Sequence, residues 1–219
     1  MKNDCPKVAV DVVIFTIEQR ILKAILIKMK KKPFQGRWAF PGGLVGIRES
    51  LDEAAIRELH EKTGVKNVYL EQLCTFGEVK RDPFSRVVSV AYFALINKNR
   101  IKKLFTTSKY AGIDWFDVAH LPRLAYDHKK IARLALERLR TKLEYTNIAY
   151  GLLPRYFSLA ELRAIYEIIL GRALDKRNFI KKIHALHILK RTSKSKVGAH
   201  RPARLYQFRT RKPEIIEIL

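Results

Sequence analysis

Apolar positions near the start of the chain recur with the two-residue period of strands. Residues 8–16 (VAVDVVIFT) and Ile21–Met29 (ILKAILIKM) are rich in β-branched side chains and flank Ile17-Glu18-Gln19-Arg20, which predicts a β-hairpin. Tyr69–Phe76, 87–96 (VVSVAYFALI) and 113–116 predict further strands. Helical spacing takes over twice. Ser50 and Glu53 form a capping box that opens a helix stopped by Gly64. In residues 127–143, Ile131, Leu134, Ala135, Leu139 and Leu143 alternate with Lys and Arg at helical intervals. Strands first, with helices between and after them, predict a mixed α/β layer structure and not a parallel βαβ repeat.

The pattern breaks near Thr146-Asn147-Ile148-Ala149-Tyr150-Gly151-Leu152-Leu153-Pro154, which sets a boundary between domains 1–148 and 149–219. Ser158 and Glu161 then cap a helix with the apolar stripe Leu159, Leu162, Ile165, Tyr166, Ile169 and Leu170, ended by Gly171. Asp175 caps a second helix, from residue 176 to about 187. Two short strands at 188–190 and Ala203–Phe208 are expected on either side of a basic loop, 191–202. Helix, glycine turn, helix and basic hairpin is the order of a winged helix-turn-helix.

Composition adds a partner to this outline. The 219 residues are 47% apolar, ample for a buried core, and carry a net charge of +23, which calls for a polyanion. No run approaches the roughly 20 apolar residues of a membrane span and no signal peptide opens the chain, so a cytoplasmic protein with no membrane role is expected. Cys5 and Cys74, far apart, suggest neither a disulfide framework nor a zinc site. Charge is also uneven: residues 176–212 hold 13 Lys/Arg and no acid. Double-stranded DNA is therefore the expected partner. Lys176, Arg177, Asn178, Lys181 and Lys182 would face the major groove from the second helix, and Lys194, Lys196, His200 and Arg201 would act from the wing.

Trp38-Ala39-Phe40-Pro41-Gly42-Gly43 runs a strand end into a double glycine, where backbone amides can approach a ligand. From Gly43 the spacing becomes specific: five residues, Glu49, seven residues, Arg57-Glu58-Leu59, one residue, Glu61, then Gly64-Val65. This resembles the Nudix box, with Lys62 in place of the second acid of its Glu-Glu pair. The resemblance implies an α/β/α sandwich with a mixed sheet, cleaving nucleoside diphosphates linked to another moiety, and a Glu49–Arg57 pair bracing loop against helix. Glu58, Glu61 and position 62 share one helical face, suited to Mg²⁺ through hard oxygen ligands. Lys62 supplies no ligand and stands in the favoured orientation to pair with Glu58. Metal binding at Glu58 and Glu61 is thus expected to be weak or lost and hydrolysis weak or absent. No cofactor is required, and Mg²⁺ enters only with residual hydrolysis.

Gln72-Leu73-Cys74-Thr75-Phe76-Gly77 with Arg81-Asp82-Pro83 is similar to the ADP-ribose-directed branch of that family. Arg81 suits a phosphate; Asp82 suits a ribose hydroxyl or the cap of a turn. Phe34, Trp38 and Arg48 complete the candidate pocket with Gly42 and Gly43, although Trp38 fits a core position equally well. Together with Phe157-Ser158-Leu159-Ala160-Glu161-Leu162, Asp175-Lys176-Arg177-Asn178-Phe179 and Arg201-Pro202-Ala203-Arg204-Leu205-Tyr206, the chain resembles the Nudix-related transcriptional regulators, NrtR. That resemblance implies a homodimeric repressor of NAD synthesis or salvage genes, its Nudix domain binding ADP-ribose or a related nucleotide to modulate operator binding. Two readings compete: an active Mg²⁺-dependent ADP-ribose pyrophosphatase with a nucleic-acid-binding tail, and a non-specific or RNA-binding Nudix protein.

Overall fold

Strands β1 (Lys7–Glu18) and β2 (Ile21–Met29) turn at Gln19 and Arg20, whose φ angles of 51° and 63° are the left-handed pair that a two-residue hairpin turn requires. The computed structural model describes residues 5–196, 202–216 and 218. By chain contacts it divides into two units: one of Met1–Thr16, Leu22–Ile96 and Arg100–Leu136, the other of Ile17–Ile21, Asn97–Asn99 and Glu137–Leu219.

In the first unit the sheet continues with β3 (Trp38–Ala39), β4 (Gly42–Leu44), β5 (Tyr69–Phe76), β6 (Val87–Leu95) and β7 (Tyr110–Asp117). Five strands lie in the order β3-β2-β1-β6-β5, while β4 also pairs with β1 and β7 with β2. Only the β1–β6 pair is parallel among the registers described, so the sheet is mixed. β7 starts before the expected residue 113, because its pairing with β2 passes Gly112 and crosses an irregularity at Lys28/Met29.

Helix α1 (Leu51–Thr63) has both halves of the Ser50–Glu53 capping box and ends at Gly64, φ 68°. Its Ala54, Ala55 and Leu59 join Val10, Val12, Ile14, Val90, Tyr92 and Ala94 in one apolar cluster. Burying a side chain such as Leu59 contributes about 1.5–3 kcal/mol. Side chains alternate along a strand, so Ala9, Asp11, Val13 and Phe15 of β1 point to the opposite face. Helix α2 (His128–Tyr145) buries Ile131, Ala135, Leu139 and Leu143, and the division between the units falls inside it.

The second unit contains α3 (Leu159–Leu170), α4 (Lys176–Ala185), β8 (Leu189–Lys196) and β9 (Ala203–Phe208). α3 starts in the Ser158–Glu161 capping box and stops at Gly171, φ 70°; Asp175 caps α4 through the Asn178 amide. The aromatic rings Phe157 and Phe208 pack at 5.2 Å and Tyr166 and Phe179 at 5.3 Å. Phe157 and Tyr206 exchange backbone hydrogen bonds of 3.0 and 2.8 Å, which ties the hairpin to the segment before α3. Buried Asn147 donates to the Lys212 carbonyl and accepts from the Glu214 amide, fixing the returning end of the chain. A second boundary differs from expectation: residues 191–196, assigned to the basic loop, extend β8. Their pairing with β9 resumes at Ser195–Arg204 after an irregularity, and the Thr192 hydroxyl donates to the Leu205 carbonyl across it.

Candidate functional site

The box residues converge on the N-terminal loop of α1 and on one side of the helix, where Glu58 and Lys62 are buried. Arg57 donates from Nε and Nη2 to the Glu49 carboxylate at 2.7 and 3.1 Å, and from Nη2 to the Leu44 carbonyl at 3.2 Å. Its Nη1 donates to Glu58 at 2.7 Å. The Glu49 carboxyl is held down to about 2 by the Arg57 hydrogen bonds and the Gly46 amide; the Arg57 guanidinium is raised by Glu49. A Cβ at Gly43 would fall inside the Glu58 carboxylate, and one at Gly42 would lie 2.5 Å from Asp11 Oδ1. The double glycine therefore makes room for two carboxylates, a role distinct from the expected approach of a ligand to its amides.

Lys62 is only 2% exposed. Its Nζ lies 3.8 Å from Glu58 and 3.4 Å from Glu61, and 5.3 Å from the centre of the Tyr110 ring. These residues do not fit a divalent ion: an ammonium stands between the two carboxylates that would bind it. No group of three or more His, Cys, Asp or Glu able to hold a metal occurs among the described residues.

Beside Gly43 opens a cavity of about 200 Å³ lined by Asp11, Phe40, Gly42, Gly43, Arg81, Asp82, Tyr110, Tyr126 and His128, among others. Asp11 accepts from the Ser89 hydroxyl at 2.6 Å and from Arg81 Nη2 at 3.1 Å, with His128 Nε2 at 3.4 Å. Burial pushes the Asp11 carboxyl up, but His128, Ser89 and Arg81 outweigh it and bring it to about 2. The Phe40 amide meets His128 Nδ1 at 2.9 Å, which leaves Nε2 turned towards Asp11. Burial, reinforced by Glu58, pushes the Tyr110 hydroxyl up to about 12; burial and Asp82 do the same for Tyr126.

Gly42, Gly43, Arg81 and Asp82 meet here as the sequence suggested, but Phe34, Trp38 and Arg48 are not among the lining residues. Phe34 packs on Tyr126 at 4.4 Å, Trp38 stands edge-on to Phe116 at 4.5 Å, and Arg48 is exposed. Arg81 is not an open phosphate clamp, because its planar fork is closed on Asp127 at 2.9 and 2.8 Å. Asp82 caps a turn by accepting from the Phe84 amide. Sequence reasoning missed Asp11, Tyr110, Tyr126, Asp127 and His128. The one local signal was Asp11, a lone acid interrupting an apolar strand.

In the second unit, α4 buries Phe179 and Ile183 and exposes Lys176, Arg177, Asn178, Lys181 and Lys182. In β8, Lys194 Nζ lies 3.9 Å from the centre of the Tyr156 ring, and Lys196 pairs with Glu161 at 2.8 Å. Glu161 is thus both part of the α3 cap and the partner of a wing lysine. His200 and Arg201 lie outside the described residues. No helix among the described residues is long and apolar enough to cross a membrane.

Residues 6–138 match the model of the NUDIX domain, and residues 149–208 match that of the NrtR DNA-binding winged helix domain. The chain is 38% identical over 211 residues to a protein of Acinetobacter baylyi named ADPR responsive transcriptional repressor NtrR, covering 94% of this chain and 84% of that one. Shewanella oneidensis NrtR, in its crystal structure complexed with a 27mer DNA, is 33% identical and superposes with a TM-score of 0.83, over 92% of this chain and 93% of that one. The NUDIX domain of the same protein complexed with ADP ribose is 35% identical, with a TM-score of 0.55 over 62% of this chain and 89% of that one.

Proposed function

Because the chain belongs to the NrtR family of Nudix-related transcriptional regulators, we propose that it is an ADP-ribose-responsive repressor. Domain 1–148 senses the nucleotide and domain 149–219 binds operator DNA. The observation that carries this reading is the outer side of α4. Five exposed residues suited to phosphate and base contacts stand on a helix that contains no acid, in winged-helix order. Lys62 favours sensing over cleavage, since its ammonium neutralises the face where hydrolysis would need a metal.

The repressor acts as a cytoplasmic homodimer on a palindromic operator controlling NAD synthesis or salvage genes; two-fold symmetry in the DNA is matched by two copies of α4. ADP-ribose shifts operator affinity only by as much as its own affinity differs between DNA-competent and incompetent arrangements. The direct test is a gel shift on the DNA upstream of the protein's own gene, with and without ADP-ribose. A specific complex whose affinity changes with ADP-ribose is expected. Salt-sensitive binding indifferent to sequence, with no nucleotide response, would refute the regulator reading.

A further inference from the structure

A pocket for a diphosphate needs positive charge, and the cavity wall supplies little that is uncommitted. Among the described residues that line it, Arg81 is the one Arg or Lys, and it is closed on Asp127 and Asp11. Asp82 adds a further carboxylate to the same lining. In a hydrolase a divalent ion would offset such charge, but the acidic face here does not fit one.

Lys62 alters that balance from behind the wall. Glu58, one of its two carboxylate neighbours, presses directly behind Gly43, which lines the cavity. Tyr110, the ring beside the Lys62 ammonium, lines it too. Within the cluster, Glu49, Glu58 and Glu61 face Arg57 and Lys62, a net charge of −1. A glutamate at position 62 would make it −3. With the ammonium 2% exposed, water and salt screen this difference weakly.

Resting on the reading of the first domain as a nucleotide sensor, we infer that Lys62 is a tethered replacement for the metal: its ammonium gives the pocket the charge to bind a nucleoside diphosphate such as ADP-ribose without a divalent ion. Lys62 is a positioning residue for charge and makes no covalent step. The ligand is recognised through its diphosphate with Glu58 already neutralised, and binding is independent of Mg²⁺ concentration.

The test is titration of the full-length protein with ADP-ribose by calorimetry, in EDTA and in excess Mg²⁺. Wild-type affinities should agree within about twofold, because no ion joins the site. Lys62→Met, which keeps an unbranched side chain one atom shorter and removes its charge, should weaken binding in EDTA by about tenfold or more. Lys62→Glu should bind weakly in EDTA and recover at least about tenfold in Mg²⁺. Thermal melts of both variants separate lost binding from lost folding, and the wild-type pair of titrations can overturn the inference even if neither variant folds. Wild-type binding that requires Mg²⁺ would overturn the tethered cation and leave the sensor reading standing. No binding of ADP-ribose by the wild type in either buffer would overturn both.

Discussion

Helices α1 and α4 are both dense in charge, but they deploy it differently. On α1, Arg57 and Lys62 are interleaved with Glu58 and Glu61 and anchored to Glu49, so each charge in the box has an opposite partner within 4 Å. On α4, Lys176, Arg177, Lys181 and Lys182 are exposed on a helix without an acid. Mutually compensated charge, half of it buried, acts at short range and demands shape, which suits one small ligand. Exposed charge of one sign acts over roughly a Debye length of about 8–10 Å and tolerates variation, which suits a DNA backbone.

The largest effect that would break this contrast lies on α4. Replacing Lys176, Arg177, Lys181 and Lys182 together by Ala should lower operator affinity by on the order of 10³-fold in gel shifts. ADP-ribose binding measured by calorimetry should stay unchanged; a parallel loss of nucleotide affinity would mean the two helices are not independent recognition elements. Next is the compensated cluster of the cavity. Arg81→Met leaves Asp11 and Asp127 buried without their shared cation, and urea unfolding should show a loss of about 3–5 kcal/mol. A loss below 1 kcal/mol, on the scale of an exposed pair, would show that the network contributes no more than a surface bridge.

Acid should act on the same network. Asp11 titrates at about 2 in the fold against an ordinary 3.8, so its stabilisation is complete above about pH 4 and disappears as pH falls towards 2. The expected contribution is about 2 kcal/mol, read from urea midpoints across that window, and Asp11→Asn should flatten the dependence. Smaller still, Ser50→Ala and Ser158→Ala should each cost about 1 kcal/mol by removing a capping hydroxyl, one in each unit, as thermal melts would report. Least of all, Lys196→Ala should cost under about 1 kcal/mol, because its bridge to Glu161 is exposed. It should also change the salt slope of DNA binding less than Lys181→Ala, which is expected to lower the slope by about 1. Equal slopes for the two would show that DNA draws Lys196 away from Glu161.

The sequence revealed what is encoded locally. Ser50–Glu53, Ser158–Glu161, Gly64 and Gly171 act within a turn or two, and all of them cap the helices they were expected to cap. The box residues are equally local, since Glu49 and Arg57 are brought together by one loop and two turns of helix. The cavity floor was hidden because its contacts cross the fold: Arg81 to Asp11 spans 70 positions and Phe40 to His128 spans 88. No periodicity joins those residues; they meet only when β1 lies beside β6 and α2 begins beneath Phe40. The start of the wing loop was misplaced for a related reason. Arg191 to Lys196 read as polar and loop-like, and only pairing with β9 makes them strand.

The packing behind Gly43 also carries a genetic consequence. Glu49, Arg57 and Glu58 stand braced as a metal-binding box would need them, and Lys62 alone departs from that pattern. Lysine and glutamate codons differ by a single base. In mutational distance, this box and one with a complete set of acids are therefore a single point mutation apart.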